Sequence, residues 1–262
     1  MTKTVSCLLY GGLGNQLFQI FTTMAYAYDN DRELVLPYAE NLGKRPTYWN
    51  NLLAPLRKYL LKDSNVSSVM QLDEPYIQEP HDNVQHIVLN GYFQSPKYFH
   101  HRKSQILREL GFIEEGYEKN LTKHVSLHFR RGDYKQLPDC HPILPIDYYV
   151  SALDYITTVA RVSTVLYFCE DEDHEDIMRD IEVLNKSFPT IVFARWKRPS
   201  DWEELQVMSA CEHNIIANSS FSWWGAYLNP NPHKIACYRA TWFGPMIPQD
   251  VSDMFPSDWI KI

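Results

Sequence analysis

The sequence predicts an α/β fold made of two parallel-sheet halves. Three observations carry this. The chain opens β-turn-α-β, with apolar Val5 to Tyr10, the turn Gly11-Gly12-Leu13-Gly14, a helical face of Leu17, Ile20, Phe21 and Met24, and then Glu33 to Leu36. A second run of strand and helix patterns begins at Val125. Between them lies the polar stretch Glu114-Glu115-Gly116-Tyr117-Glu118-Lys119, which reads as a linker. A chain of 262 residues is long enough for two domains that each bury a core. Domains 1–118 and 119–262 are therefore expected, with a ligand cleft between the halves.

The elements follow in order. A buried strand at Val5–Tyr10 leads through the glycine turn into a helix at Asn15–Tyr26. A short strand at Glu33–Leu36 is stopped by Pro37, because proline has no N–H for the ladder. Residues 40–85 are mixed and polar, with a helical patch near 51–61 and no motif. His86–Asn90 reads as a strand and Lys97–Glu109 as a helix ending near Gly111. In the second half, Val125–Arg130 alternates apolar and polar residues as a strand does. Ile146–Ala160 is a helix, Val165–Cys169 a strand running into Glu170-Asp171, and Thr190–Phe193 another strand. Ser200-Asp201-Trp202-Glu203 has capping-box form and opens a helix to about Glu212. Asn214–Ala217 is a strand, and Phe221–Leu228 a helix ended by Asn229-Pro230.

Composition narrows the function classes. Hydrophobic residues are 45% and charged residues 22%, an ordinary globular balance. A net charge of −7 leaves no general basic field, so nucleic acid is not the expected partner. An anionic ligand must be held by a few placed cations and backbone amides. Aromatics reach 14%, which suits flat ligands such as sugars and bases but equally a tyrosine-rich core. The five cysteines show no CxxC spacing and read as reduced thiols. The apolar N-terminal stretch is too short for a signal region or a membrane span, so a cytoplasmic protein is expected. The sequons at Asn65, Asn120, Asn185 and Asn218 then read as chance matches.

Four constellations carry chemistry. His128-Phe129-Arg130-Arg131-Gly132-Asp133-Tyr134 ends a strand, where α/β folds place ligands. Alternation puts His128 and Arg130 on one face, opposite Leu127 and Phe129. Paired guanidinium forks suit a diphosphate, and the bland alternative is surface arginines paired to Asp133. Read as a cell-adhesion tripeptide, Arg131-Gly132-Asp133 would need an extracellular loop. Asn218-Ser219-Ser220-Phe221-Ser222-Trp223-Trp224-Gly225 lies between strand and helix, where free amides hold anions; the alternative is a plain serine cap with two core tryptophans. Gly11 to Gln16 is either a phosphate turn or a tight structural turn, since GxGxxG fails after Gly14. Glu170 to Asp176 reads as a metal-binding DxD (Asp171, Asp173), as an acidic first helical turn, or as acceptors for a nucleoside or an arginine.

Taken together these residues resemble the α-1,2-fucosyltransferases of glycosyltransferase family 11, and more distantly the α-1,6 and protein O-fucosyltransferases. The resemblance rests on Gly11 to Gln19, Gly91-Tyr92-Phe93-Gln94, His128 to Tyr134, Met208-Ser209-Ala210-Cys211 leading into Asn214 to Ala226, and the tail from Trp242 to Ile260. It implies a GT-B fold of two Rossmann-like halves facing a cleft. It also implies GDP-β-L-fucose as donor, a glycan acceptor, inversion to an α-fucoside on O2 of galactose, and no metal or cofactor. Arg130 would contact the β-phosphate. His128 and Arg131 would assist at the nucleotide, Asn15 and Gln16 would meet the donor from the N-terminal half, and Ser219, Ser220, Phe221 and Ser222 would donate to phosphate. The family's Asp-Asp near guanosine is here Glu170-Asp171, and its Asp before Leu-x-x-Met-Ser is Glu204. Both departures keep a carboxylate on a longer arm. Asp133 is the nearest motif carboxylate for a general base or for orienting the arginines. A same-fold enzyme using another deoxysugar nucleotide, or a metal-dependent DxD transferase, are the competing readings.

Overall fold

The computed structural model describes residues 2–61, 69–74, 81, 83–112 and 121–262. The linker stretch 114–119 and the sequons at Asn65 and Asn120 lie outside the described residues. The chain divides into two compact units, Met1–Gly116 and Tyr117–Ile262.

In the first unit, β1 (Thr4–Cys7) is followed by α1 (Leu13–Asp29), β2 (Glu33–Leu34), β3 (Val69–Asp73), β4 (His86–Asn90) and α2 (Lys103–Glu109). The strands form one parallel sheet in the order β2-β1-β4-β3. Helix α1 is buried on nearly every side, so Leu17, Phe18, Ile20, Phe21 and Met24 all reach zero exposure. Burial of each such side chain contributes about 1.5–3 kcal/mol. Two departures from the sequence reading have local causes. The strand at 33–36 breaks in two: Leu36–Pro37 pairs with Leu60–Leu61 instead of β1. The helix expected from Lys97 begins as two 3-10 turns, Pro96–Tyr98 and His100–Arg102, because Phe99 between them leaves helical geometry at φ −141°.

The second unit runs β5 (Leu121–His128), α3 (Ile146–Val159), β6 (Thr164–Phe168), α4 (His174–Ser187), β7 (Val192–Arg195), α5 (Asp201–Ala210), β8 (Cys211–Ile215), α6 (Ser220–Leu228), β9 (Ala236–Tyr238) and β10 (Ile260–Lys261). Its sheet is fully parallel in the order β7-β6-β5-β8-β9-β10. The chain thus walks outward from β5 to β7, returns beside β5 as β8, and walks out the other way. That reversal is the doubly wound arrangement, and ligands bind at the carboxyl ends of the strands where it occurs.

Pleating gives the sheet two different faces. Val125, Leu127, Val165 and Tyr167 join Tyr148, Leu153, Ile156, Ile177, Ile181 and Leu184 of α3 and α4 in one core. Leu166 and Phe168 pack with Met208 and Phe221 of α5 and α6 on the other. The tail closes over α6, where Trp223 stacks on Tyr227 with centroids 4.7 Å apart and its indole N–H donates to Met254 O at 2.9 Å. The capping box at Ser200 takes another form: its hydroxyl donates to the Glu203 carboxylate at 2.6 Å instead of accepting from a backbone N–H.

A buried polar knot holds β8 beside β5. Asn214 Nδ2 donates to Ser126 Oγ at 2.7 Å and to Met208 O at 2.8 Å, and Asn229 Nδ2 donates to Asn214 Oδ1 at 2.8 Å. Asn214→Ala strands several of these buried groups, each costing about 1–3 kcal/mol. We expect urea denaturation to show the variant destabilised by about 2–4 kcal/mol, well beyond an exposed control such as Asn185→Ala.

Candidate active site at the strand reversal

The reversal between β5 and β8 brings two of the sequence motifs to one edge of the sheet. β5 ends at His128 and delivers Arg130; β8 ends at Ile215 and delivers Ser219 to Ser222. Two contacts join these segments: the Tyr134 hydroxyl donates to Asn218 O at 3.0 Å, and the His128 and Phe221 rings meet edge-on at 5.6 Å.

Arg130 is the centre of the constellation. Its guanidinium donates to Glu170 through Nη1 and to Asp133 Oδ1 through Nη2 at 2.5 Å, and it lies 5.1 Å over the Tyr134 ring. The His141 ring stacks on the same tyrosine at 4.5 Å. Only 15% of the Arg130 side chain is exposed. The two carboxylates and the ring fix one rotamer of a long, permanently charged side chain before any ligand arrives. Gly132 is required beside it: at φ +21° a Cβ would collide with the Glu170 carboxylate.

Arg131 points elsewhere, into an ion pair with Asp180 of α4. It anchors the loop to α4. Asp173, buried at 1%, accepts from Gly132 N at 2.6 Å and pairs with Lys135 Nζ at 2.7 Å. Asp171 pairs with Arg195 and Lys197, each at 2.6 Å. The two aspartates of the DxD pattern therefore serve different partners. Among the described residues no group of three His, Cys, Asp or Glu is placed to hold a metal ion.

Glu204 lies on α5 and accepts from Arg198 N at 3.2 Å; burial raises its carboxyl pKa above the ordinary value. It does not touch Arg130. Arg198 in turn lies 5.1 Å over the Trp196 ring, a flat surface beside the β7 end that no motif announced.

The serine segment splits by function. Trp223 and Trp224 are core residues at zero exposure. The Ser222 hydroxyl lies 3.4 Å from Ser219 O and is buried, so its backbone N–H is what this residue offers. No side chain caps α6 and its first turn holds no acid, whereas α3, α4 and α5 all carry acids there. The positive end of α6 is left for an anion.

A matching arrangement stands in the first unit. Gly11 (φ +82°) leaves the room that Asn15 occupies, and Gln94 Nε2 donates to Asn15 Oδ1 at 2.9 Å. Helix α1 too has no acid in its first turn and no side-chain cap. Gln16 differs from its expected role: it is fully buried, and its amide nitrogen donates to Gly11 O at 3.0 Å and Pro46 O at 2.9 Å. It positions the turn and cannot offer that amide to a ligand.

His128 is held neutral. Burial, then the neighbouring Arg130 charge, lower its pKa from 6.5 to about 3. Between those values the unfolded chain binds a proton that the folded chain excludes. Stability is full above pH 6.5 and falls as pH drops toward 3, by up to about 1.4 kcal/mol per pH unit from this residue. Denaturation series at pH 5, 6 and 7 should show a shallower acid decline in His128→Gln than in the parent.

Comparison with known proteins accords with this geometry. A family model described as glycosyl transferase family 11 matches residues 9–262. The O-antigen biosynthesis glycosyltransferase WbnK of Escherichia coli is 33% identical over 148 residues, 53% of this chain and 44% of that protein. An alpha-1,2-colitosyltransferase of Escherichia coli is 26% identical over 97% of both chains. The galactoside 2-alpha-L-fucosyltransferase SEC1 of Bos taurus is 26% identical over 83% of this chain and 62% of its own. The chain thus spans less than two thirds of WbnK and SEC1 and nearly all of the colitosyltransferase. Among solved structures, the fucosyltransferase NodZ from Bradyrhizobium aligns at TM-score 0.50 and 11% identity over 86% of this chain and 93% of its own. The E. coli ADP-heptose LPS heptosyltransferase II aligns at TM-score 0.51 and 10% identity over 99% and 90%. At such identities the likeness shows the fold, an α/β fold of GT-B type. No helix among the described residues is long and apolar enough to cross a membrane. With two of its motifs side by side at the strand reversal and the family model spanning residues 9–262, the chain belongs to glycosyl transferase family 11.

Proposed function

We propose that this chain transfers L-fucose from GDP-β-L-fucose to a hydroxyl of a glycan, O2 of galactose, with inversion to an α linkage. The observation that carries this is Arg130, held at the β5 end by Glu170 and Asp133 on the same edge as the uncapped start of α6. In this reading the C-terminal unit holds the GDP moiety and the N-terminal unit receives the acceptor.

The bond from the fucosyl C1 to the β-phosphate oxygen breaks as the acceptor oxygen bonds C1 from the opposite face. Charge grows on the departing β-phosphate. Arg130 and the first amides of α6 stabilise that charge, and because they are already oriented, little reorganisation is needed in the transition state. His128, being neutral, takes no part as an acid at working pH and acts by packing and hydrogen bonding. Glu170, Asp171 and Glu204 lie on the nucleoside side. The acceptor hydroxyl's proton passes to Asp133 or to water. The pairing of Asp171 and Asp173 with basic and backbone partners supports transfer without a metal ion.

A second donor is favoured by one observation. The relative aligned over 97% of both chains is named an alpha-1,2-colitosyltransferase, so another deoxysugar nucleotide is the alternative substrate of the same site.

GDP release from GDP-fucose, measured in EDTA with and without galactose-terminated acceptors, tests the reading. Acceptor-stimulated release is expected. Its absence, together with no binding of GDP-fucose by calorimetry, overturns the donor assignment in favour of other sugar nucleotides. Arg130→Lys should lower kcat by about 10²–10³, the loss of one preorganised donor; near-normal turnover would remove Arg130 from the mechanism. Asp133→Asn should lose about 10²-fold or more if Asp133 takes the proton, with a flattened acid limb in the pH profile of kcat. Full activity would leave that proton to water.

A further inference from the structure

Arg130 lies over the Tyr134 ring, its guanidinium carbon 5.1 Å from the centroid, inside the usual cation–π range of about 6 Å. The two carboxylates that also meet Arg130 belong to side chains 50% and 43% exposed, at Asp133 and Glu170. Such arms can follow a moving guanidinium, so the ring is the neighbour that must supply a fixed surface. The tyrosine hydroxyl is tied down by donation to Asn218 O at 3.0 Å. That bond lies at the end of the ring axis and leaves the ring able to turn about it, since the outer torsion of a tyrosine is broad and soft. A turned ring presents its edge, which carries the positive end of the ring quadrupole and repels a cation.

His141 opposes the turn. Its imidazole stacks on Tyr134 with centroids 4.5 Å apart and planes 17° from parallel, and Phe243 backs it at 5.8 Å. The imidazole is itself clamped. His141 N donates to Leu137 O at 2.8 Å, Gly244 N to Cys140 O at 2.8 Å, and Met246 N to Asp139 O at 3.0 Å. Glycine is required for that approach, because a Cβ at Gly244 would lie 2.3 Å from Asp139 O. Asn218, buried at 2%, donates through Nδ2 to Pro142 O at 2.9 Å and to Trp242 O at 3.1 Å. One residue thus spaces the tyrosine hydroxyl, the residue after His141 and the residue before Phe243. His141 Nδ1 is buried with no hydrogen-bond partner among the described residues, so a carbon could replace it without loss of a bond. Burial, partly countered by the Asp133 charge and reinforced by Arg130, holds the His141 pKa below its ordinary value. The neutral ring does not compete with Arg130 for the tyrosine face.

We propose that His141 is a positioning residue: its flat ring holds Tyr134 face-on to Arg130, and through that tyrosine keeps the guanidinium aimed at the departing diphosphate. The catalytic part of this rests on the reading of Arg130 under the proposed function.

Nitrogen-exchange NMR on the whole protein, with no substrate present, reads the rate at which Nη1 and Nη2 of Arg130 interchange, the signals being assigned by their loss in Arg130→Lys. His141→Ala and His141→Leu, the latter keeping bulk without a plane, should each raise that rate about fivefold or more, and His141→Phe should hold it within about twofold of the parent. In turnover, kcat should fall about tenfold or more in His141→Leu and recover in His141→Phe to within about threefold of the parent. Placed on Arg130→Lys, the same His141→Leu change should cost less than about twofold, because the histidine acts through the arginine. An unchanged interchange rate in His141→Leu, a His141→Phe variant as impaired as His141→Leu, or a kcat loss of equal size in both backgrounds overturns the proposal. Absent turnover of GDP-fucose by the parent, with the interchange rates ordered as expected, would remove the donor reading and leave His141 as the residue that fixes Tyr134 and Arg130.

Discussion

The buried amide knot at Asn214 is the constraint on which the C-terminal unit depends. By joining Ser126, Met208 and Asn229, it fixes β8 directly against β5 after the chain has travelled out through β6 and β7. Hydrogen bonds of this kind are weak in net terms but costly to leave unmade inside a core. They therefore specify which strand sits beside β5 more sharply than apolar packing can. Once β8 is there, the ends of the two strands are neighbours. Arg130, the α6 amides and the Tyr134–Asn218 contact then fall on one edge.

A chain with a net charge of −7 has no general basic field. Its cations at this edge of the sheet are paired with carboxylates. Arg130 has Glu170 and Asp133, Arg131 has Asp180, Lys135 has Asp173 and Asp176, and Arg195 and Lys197 share Asp171. The attraction holds the largely buried Arg130 side chain in one orientation, whereas the exposed pairs at Lys135 and Lys197 are screened by solvent and contribute little. The carboxylates orient the arginine. The same acids explain why a DxD-like run near Arg130 need not be a metal site.

The N-terminal unit repeats the logic with neutral groups. Gly11 admits Asn15, Gln94 holds it, and Gln16 ties the turn to Pro46. The Gly91-Tyr92-Phe93-Gln94 motif finds its reason here: Gln94 braces Asn15, and Tyr92 packs edge-on against Tyr10 with centroids 4.8 Å apart. Neither motif shows the other in the sequence, because the pairing arises only when β1 and β4 lie side by side.

The sequence by itself determined the element types and the residues worth watching. Periodicity and turn chemistry are local, and α1, β4, α3 and α6 follow from them within a few residues. Element ends moved where distant partners intervened, as at Leu36, which pairs with Leu60. Side-chain roles were legible only as alternatives. Arg130 and Arg131 are adjacent and chemically identical, yet one faces the strand reversal and the other is tied to α4. Gln16 follows Asn15 but is sealed in the core. Only the tertiary structure decided these, because decisive partners such as Pro46 for Gln16, Glu170 for Arg130 and Asp180 for Arg131 lie 30 to 49 positions away, and local pattern carries no record of them.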